Sequence, residues 1–421
     1  MTARCGDVAP TAADMGSAHA TSLSKSSGAL QIALLTGGDD RSYALGLALS
    51  LVARGVFVDF IGSDSVDGPE LHKTPLVNFL NLRGDQRENV PFARKMLRLS
   101  AYYLRLMSYA VSARPRIFHI LWNNKFELFD RTLLLLYYRS LGRKLVLTAH
   151  NVNAARRDSR DSALNRWSLR IQYRLSDHIF VHTASMKNQL QEEFGVPEGN
   201  VSVIPFGIND TAPTTGMTTI EAKQRLGLGA GEVAALFFGQ IAPYKGLEFL
   251  AAALPELTRN NRGFRLIIAG KVKKGSENYW REIELRLCSD GTRERVIAKI
   301  EHIPDADVEV YFKAADVLVI PYTRIFQSGV PFLAYSFGLP VIATDVGSLR
   351  EDIIEGKTGS LCRARDPGDL AGAITAYFSS EMFRRLELHR PDIRRFARER
   401  HSWEEVARTT ESVYRRLIAS R

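Results

Sequence analysis

Cysteine is scarce in this chain: three in 421 residues, Cys5, Cys288 and Cys362, with neither metal-ligand nor redox spacing between them. An odd, scattered set argues against a disulfide framework. Long hydrophobic runs are missing too. Candidates such as Leu133–Tyr138 fall far short of the roughly 20 apolar residues that cross a bilayer. Residues 1–28, rich in Ala, Ser, Thr and Gly, lack the apolar stretch behind basic residues that marks a signal peptide. They read as a disordered leader, and the protein is expected to remain in the cytoplasm. No helix-turn-helix, zinc or RNP-like signature is present, so nucleic acid is not the expected partner. No Ser-His-Asp arrangement, metal-ligand set or paired-carboxylate signature stands out, so no metal and no resident cofactor are expected.

Acid is sparse where base is dense. Residues 89–174 hold 17 Lys or Arg against four acids, a local net of +13, whereas the whole chain carries +10. One reading is a solvated basic face. The other is an anionic membrane surface contacted through residues 89–116, because Phe92–Leu106 interleaves Arg with Leu, Met and Tyr at helical spacing. On that reading the protein rests on the inner face of the membrane as a peripheral protein.

Short β-branched and apolar runs alternate with helix-length segments, which predicts parallel sheets wound with helices on both faces. The first series opens with a strand at Gln31–Thr36, a Gly37-Gly38 turn and a helix over Tyr43–Arg54. It continues through strands at Phe57–Ile61, Arg116–Trp122, Lys144–Thr148, His178–His182 and Val201–Pro205. A second series restarts at Ala234 and runs through Arg265–Ala269, Val296–Ile300, Val317–Ile320 and Val341–Ala343. Domains are therefore expected at 29–210 and 220–403, with the Thr-rich stretch 211–219 as linker. A final helix is expected over 404–421. Open sheets of this kind bind ligands beyond the strand C-termini.

Between the last two of those strands, Ser328-Gly329-Val330-Pro331 offers an N-cap, a glycine for close backbone approach and a proline where a first-turn N–H is dispensable. A helix starting there aims its free N–H groups at a guest, and the natural guest is a phosphate or diphosphate.

Five blocks, in order, carry a resemblance. They are His150-Asn151 after a strand, Val203–Gly207, Phe238-Gly239-Gln240 with Lys245-Gly246, Leu266–Gly270, and Gly338–Gly347 followed by Glu351. Together they resemble the retaining GT-B glycosyltransferases of the group-1 or GT4 type, over roughly residues 31–421. The resemblance implies two Rossmann-like domains facing each other across a cleft, with the final helix, 404–421, crossing back onto the first. It also implies sugar transfer from a nucleotide-diphosphate sugar, a co-substrate, to a saccharide or lipid-linked acceptor. By that resemblance Lys245 contacts the diphosphate and His150 the donor sugar or its phosphate, the two residues expected to carry catalysis. Gly37, Gly38, Gly239, Gln240, His302, Ser328, Gly329 and Val330 are expected on the donor side, with His302 near the base. Arg324 stands in for an arginine that the family places where this chain has Gln240. His119 and Trp122 line the acceptor side or serve only packing. The family's two glutamates fall on Ile325 and Leu333. Their absence favours transfer on one sugar face, with the leaving phosphate taking the acceptor's proton, and leaves open a nucleotide-sugar-binding protein without transferase activity. A dinucleotide oxidoreductase shares the strand-turn-helix pattern, but Gly37-Gly38-Asp39 lacks its spaced glycines.

Overall fold

A computed structural model describes residues 30–37, 41–87, 90–158, 160–207, 215–325 and 327–420. Cys5, the expected leader, Gly38 and residues 211–214 of the expected linker lie outside the described residues.

Among the described residues thirteen strands form two sheets. The first contains β1 (Gln31–Leu35), β2 (Phe57–Gly62), β3 (Val77–Asn81), β4 (Ile117–Ile120), β5 (Lys144–Thr148), β6 (His178–Val181) and β7 (Val201–Val203) in the order β3-β2-β1-β4-β5-β6-β7. The second contains β8 (Val233–Phe238), β9 (Phe264–Ala269), β10 (Val296–Lys299), β11 (Val317–Ile320), β12 (Val341–Thr344) and β13 (Gly359–Cys362) in the order β10-β9-β8-β11-β12-β13. Pairing is parallel, with Leu34 opposite both Phe60 and His119, and Leu236 opposite both Ile267 and Leu318. Both orders follow the doubly wound nucleotide-binding pattern. The expected pair of Rossmann-like sheets is present.

Helices used below are α1 (Arg41–Ala53), α2 (Phe92–Ser112), α3 (Leu247–Asn260), α4 (Asp305–Ala314), α5 (Val330–Ser336) and α6 (Trp403–Ala419). By packing the chain divides into two compact units. One takes the chain up to Thr148, Ile171–Ile179 and the stretch from Ala407; the other takes Ala149–Arg170 and Phe180–Val406.

In the second unit, alternation along each strand builds two cores. Leu236, Leu318 and Ile320 pack with Phe312 and Tyr335 on one face, while Phe237, Val317 and Val319 pack with Leu250 and Leu254 of α3 on the other. Successive side chains on a strand point to opposite faces, so a strand covered on both must be apolar throughout, which is how β8 and β11 were legible. β3 and β13 were not expected. Val77-Asn-Phe-Leu-Asn81 and Gly359-Ser-Leu-Cys362 stand at the sheet edges, where partial exposure permits mixed composition.

In the first unit, α1 buries Tyr43, Ala44, Leu45, Leu47, Ala48 and Leu51. Helix α2 buries Tyr102, Tyr103, Leu106 and Ala110, and leaves Phe92, Leu97, Leu104 and Val111 exposed. No helix among the described residues is long and apolar enough to cross a membrane.

Candidate functional site

The second unit brings three separated segments to one point. Strand β8 is followed by Gly239, at φ +103°, whose N–H bonds the Ala269 carbonyl at 2.9 Å. The chain then makes a 3-10 turn over Pro243–Lys245. A Cβ on Gly239 would stand 3.2 Å from Lys245 Nζ and 3.8 Å from Val330 Cγ2. Glycine therefore keeps the space between the ammonium and the start of α5 open, at a backbone angle that other residues rarely adopt.

Lys245 is only 7% exposed. Its Nζ donates to Tyr322 Oη at 2.9 Å and lies 4.9 Å from the centroid of that ring. Among the described residues no carboxylate pairs with it. A buried ammonium held by one hydroxyl and a ring face is electrostatically incomplete, and an anion would complete it.

Helix α5 has seven residues, so its dipole contributes little. Gly329 takes the N-cap position, not Ser328; the buried Ser328 hydroxyl accepts from the Val330 N–H at 3.3 Å. The positions of the absent family glutamates are filled by packing. Ile325 is buried in the core and Leu333 packs against it.

His150 reaches this neighbourhood through an aromatic wall. Its Nδ1 lies 3.0 Å from His182 Nε2, His182 lies edge-on to Phe206 at 5.0 Å, and Phe206 stacks on Phe332 of α5 at 5.4 Å. A Cβ on Gly329 would meet the Phe206 ring at 3.5 Å. Burial pushes the His182 imidazole down to about 4, so His182 is neutral where it hydrogen-bonds His150. His182 was not singled out from sequence, because a histidine ending an apolar run shows no partner until β5 and β6 are in place.

The remaining expected residues are scattered. Gln240 is half-buried beside Gly239, and His302 is exposed between β10 and α4. Arg324, expected as a substitute cation, donates to the Arg156 carbonyl at 2.9 Å and lines a separate cavity that Lys245 does not line. In the first unit, Gly37 has φ +61°, and a Cβ there would stand 2.7 Å from the Trp122 carbonyl oxygen, so its glycine is required by strand-end packing. Trp122 is half-buried, edge-on to Tyr43.

His119 requires a correction. It lines no ligand surface: it is fully buried, with Nδ1 2.5 Å from Tyr414 Oη of α6 and Nε2 2.7 Å from Thr148 Oγ1. Burial drives its imidazole down to about 3. A buried neutral histidine with hydroxyls at both nitrogens is a core residue.

Asp352 carried no expectation and is a perturbed group in the second unit. It is 5% exposed, near Gln327 Nε2 (3.5 Å) and Ser348 Oγ (3.3 Å), and burial raises its carboxyl to about 7. Among the described residues no group of His, Cys, Asp and Glu could hold a metal ion.

Residues 232–380 match the family model described as glycosyl transferases group 1, and residues 41–212 match that described as glycosyltransferase family 4. A D-inositol 3-phosphate glycosyltransferase of Nocardia farcinica is 33% identical over 218 residues, covering 51% of this chain and 48% of that protein. A protein of the same name from Rhodococcus erythropolis is 27% identical over 390 residues, covering 90% and 86%. The chain thus spans about half the length of the Nocardia relative. Sucrose-phosphate synthase from Thermosynechococcus elongatus superposes with a TM-score of 0.73 at 20% identity, over 93% of this chain and 100% of that one. Anabaena HepE, solved with UDP and glucose, gives 0.69 at 15% identity, over 91% and 99%. These structural likenesses show the fold alone.

Proposed function

We propose that this chain, which carries the two domains of the group 1 and family 4 glycosyltransferases, moves a glycosyl group from a nucleoside-diphosphate sugar to a saccharide or lipid-linked acceptor, with retention at the anomeric carbon. The observation that carries this reading is the buried Lys245 ammonium, unpaired by any carboxylate among the described residues and facing Gly239 and the start of α5. Departure of a nucleoside diphosphate builds negative charge on the β-phosphate, and a fixed ammonium in a desolvated position stabilises that charge more in the transition state than in the ground state. The tight turn at Gly239 admits the diphosphate between Lys245 and Val330. His150, steadied by His182, orients the sugar.

With Ile325 and Leu333 packed in apolar surroundings, neither position offers a carboxylate base or nucleophile. Transfer on one face of the sugar fits this arrangement, because the leaving phosphate itself accepts the proton of the attacking hydroxyl. The sheet topology and the UDP bound to Anabaena HepE both support a nucleotide donor.

Helix α2 adds a location. Leu97, Leu104 and Val111 recur every seven residues and are exposed, with exposed Arg94, Lys95 and Arg105 beside them. This face suits an anionic lipid surface, and the protein works there as a peripheral enzyme. Arg98 takes no part, since it is committed to Asp85 at 3.3 Å.

Purified protein incubated with UDP-, GDP- and ADP-sugars tests the reading. Release of nucleotide with at least one donor is expected; neither binding nor release with any of them would end it.

A further inference from the structure

A cavity of about 510 Å³ in the second unit is lined by six basic side chains and two acidic ones, and neither Lys245 nor any residue of α5 lines it. Tyr244 forms its wall. The Arg157 guanidinium sits 4.7 Å from the centroid of that ring and Lys273 Nζ 5.5 Å from it, so two cations share one aromatic ring. Asp158 is the carboxylate that holds them there, at 2.9 Å from Arg157 and 3.1 Å from Lys273. Burial alone would raise the Asp158 carboxyl, but those two partners outweigh it and hold it below its ordinary range. The second acid, Glu248, accepts from the Tyr279 hydroxyl and is raised by burial. Both acids are therefore already engaged.

Arg160, Lys274 and Arg365 remain. Among the described residues none of their side chains has a hydrogen-bond or ion-pair partner. Arg365 is also the one described non-glycine residue with positive φ, at +61°. Strained backbone of this kind persists where the surroundings impose it, and it recurs at ligand clamps. Three uncommitted cations beside the paired Arg157 and Lys273 and the carbonyl-bound Arg324 make a concave positive surface, which concentrates field and attracts an oxyanion. Guanidinium groups fork onto phosphoryl oxygens with two parallel bonds, whereas the apolar faces of Tyr244 and Phe249 leave room for the body that carries the phosphate.

We propose that this cavity binds the phosphoryl group of a second ligand, at a site separate from the Lys245 ammonium. The ligand is a phosphorylated saccharide or a phospholipid headgroup, which present the same chemistry to these side chains. The inference goes beyond the donor reading and does not depend on it.

Calorimetric titration with glucose 6-phosphate, and sedimentation with vesicles containing phosphatidic acid, test it on the full chain. The variant combines Arg160→Ser, Lys274→Ser and Arg365→Gly; the first two residues are exposed and the third change relieves positive φ, so folding is retained. Binding of one of the two probes is expected, with its Kd raised at least tenfold in the variant. UDP affinity should stay within twofold. Glucose 6-phosphate binding identifies a soluble ligand; retention on vesicles by a chain that also carries Arg94→Glu, Lys95→Glu and Arg105→Glu, and so lacks the α2 contribution, identifies a headgroup. Lys245→Met should do the reverse, weakening UDP and sparing the phosphate probe. The proposal is overturned if neither probe binds, if the triple variant binds as the natural chain does, or if UDP displaces the probe one for one. Loss of the donor reading would appear separately, as UDP affinity indifferent to Lys245→Met.

Discussion

Lys245 Nζ donates to Tyr322 Oη at 2.9 Å, and among the described residues that hydroxyl is the sole hydrogen-bond partner of the ammonium, in a position only 7% exposed. An arrangement that costs stability in the free protein and gains an anion in the complex separates stability from function. Replacing Lys245 by methionine keeps the volume and removes the uncompensated charge. Stability should rise by about 1 kcal/mol in urea titration, while nucleotide-sugar turnover falls on the order of a hundredfold. A variant both less stable and fully active would contradict this.

Gly239→Ala places a methyl group 3.2 Å from that ammonium at φ +103°. Strain of about 1–2 kcal/mol is expected in thermal unfolding. The Michaelis constant for the donor should rise with it, because the methyl group occupies the space assigned to the diphosphate. An unchanged donor constant would move the diphosphate elsewhere.

Asp352 gives the protein a pH dependence whose sign can be worked out. Its carboxyl ionises near 7 in the folded state against an ordinary value of 3.8, so between those pH values the folded chain holds a proton that the unfolded chain has released. This group therefore lowers stability as pH rises from about 4 to 7, and the loss is complete above 7. Asp352→Asn should raise stability at pH 8 by roughly 2–4 kcal/mol and change little at pH 4. Equal effects at both pH values would show that the carboxyl is not perturbed.

His119 behaves in the opposite direction. Its folded value near 3 lies below the ordinary 6.5, so its contribution is complete above pH 6.5 and is lost as pH falls toward 3. His119→Ala leaves Tyr414 and Thr148 without their ring partner, and a loss of about 2–3 kcal/mol is expected by chemical denaturation. The acceptor Michaelis constant should not change; a selective change there would restore His119 to the acceptor side.

Charge reversal at Arg94, Lys95 and Arg105 should reduce retention on vesicles rich in anionic lipid at low salt, and high salt should release the natural protein. Arg98→Glu should instead act on stability, through its bond to Asp85. Equal recovery on neutral and anionic vesicles would remove the membrane from the reading.

Much of the fold was readable in the chain because its signals are local. Runs such as Val317–Ile320 and Val341–Ala343 must be apolar throughout when both faces of a strand are covered, and the Gly239-to-Lys245 turn carries its own geometry. The edge strands Val77–Asn81 and Gly359–Cys362 carried no such mark, since an exposed edge tolerates Asn and Ser.

By itself the sequence determined the two series of strands, the position of Lys245 after β8 and the excess of base over residues 89–174. Only the tertiary structure decided that His119 belongs to the core, that His182 supports His150, and that Gly37 serves Trp122. It also assembled the cavity at Tyr244 from the loops of Arg157, Lys273, Arg324 and Arg365. The physical reason is range. Backbone pattern and hydrophobic alternation act over a few neighbouring residues, whereas burial, hydrogen-bond pairing and the balance of charge in a cavity depend on groups that only folding brings together.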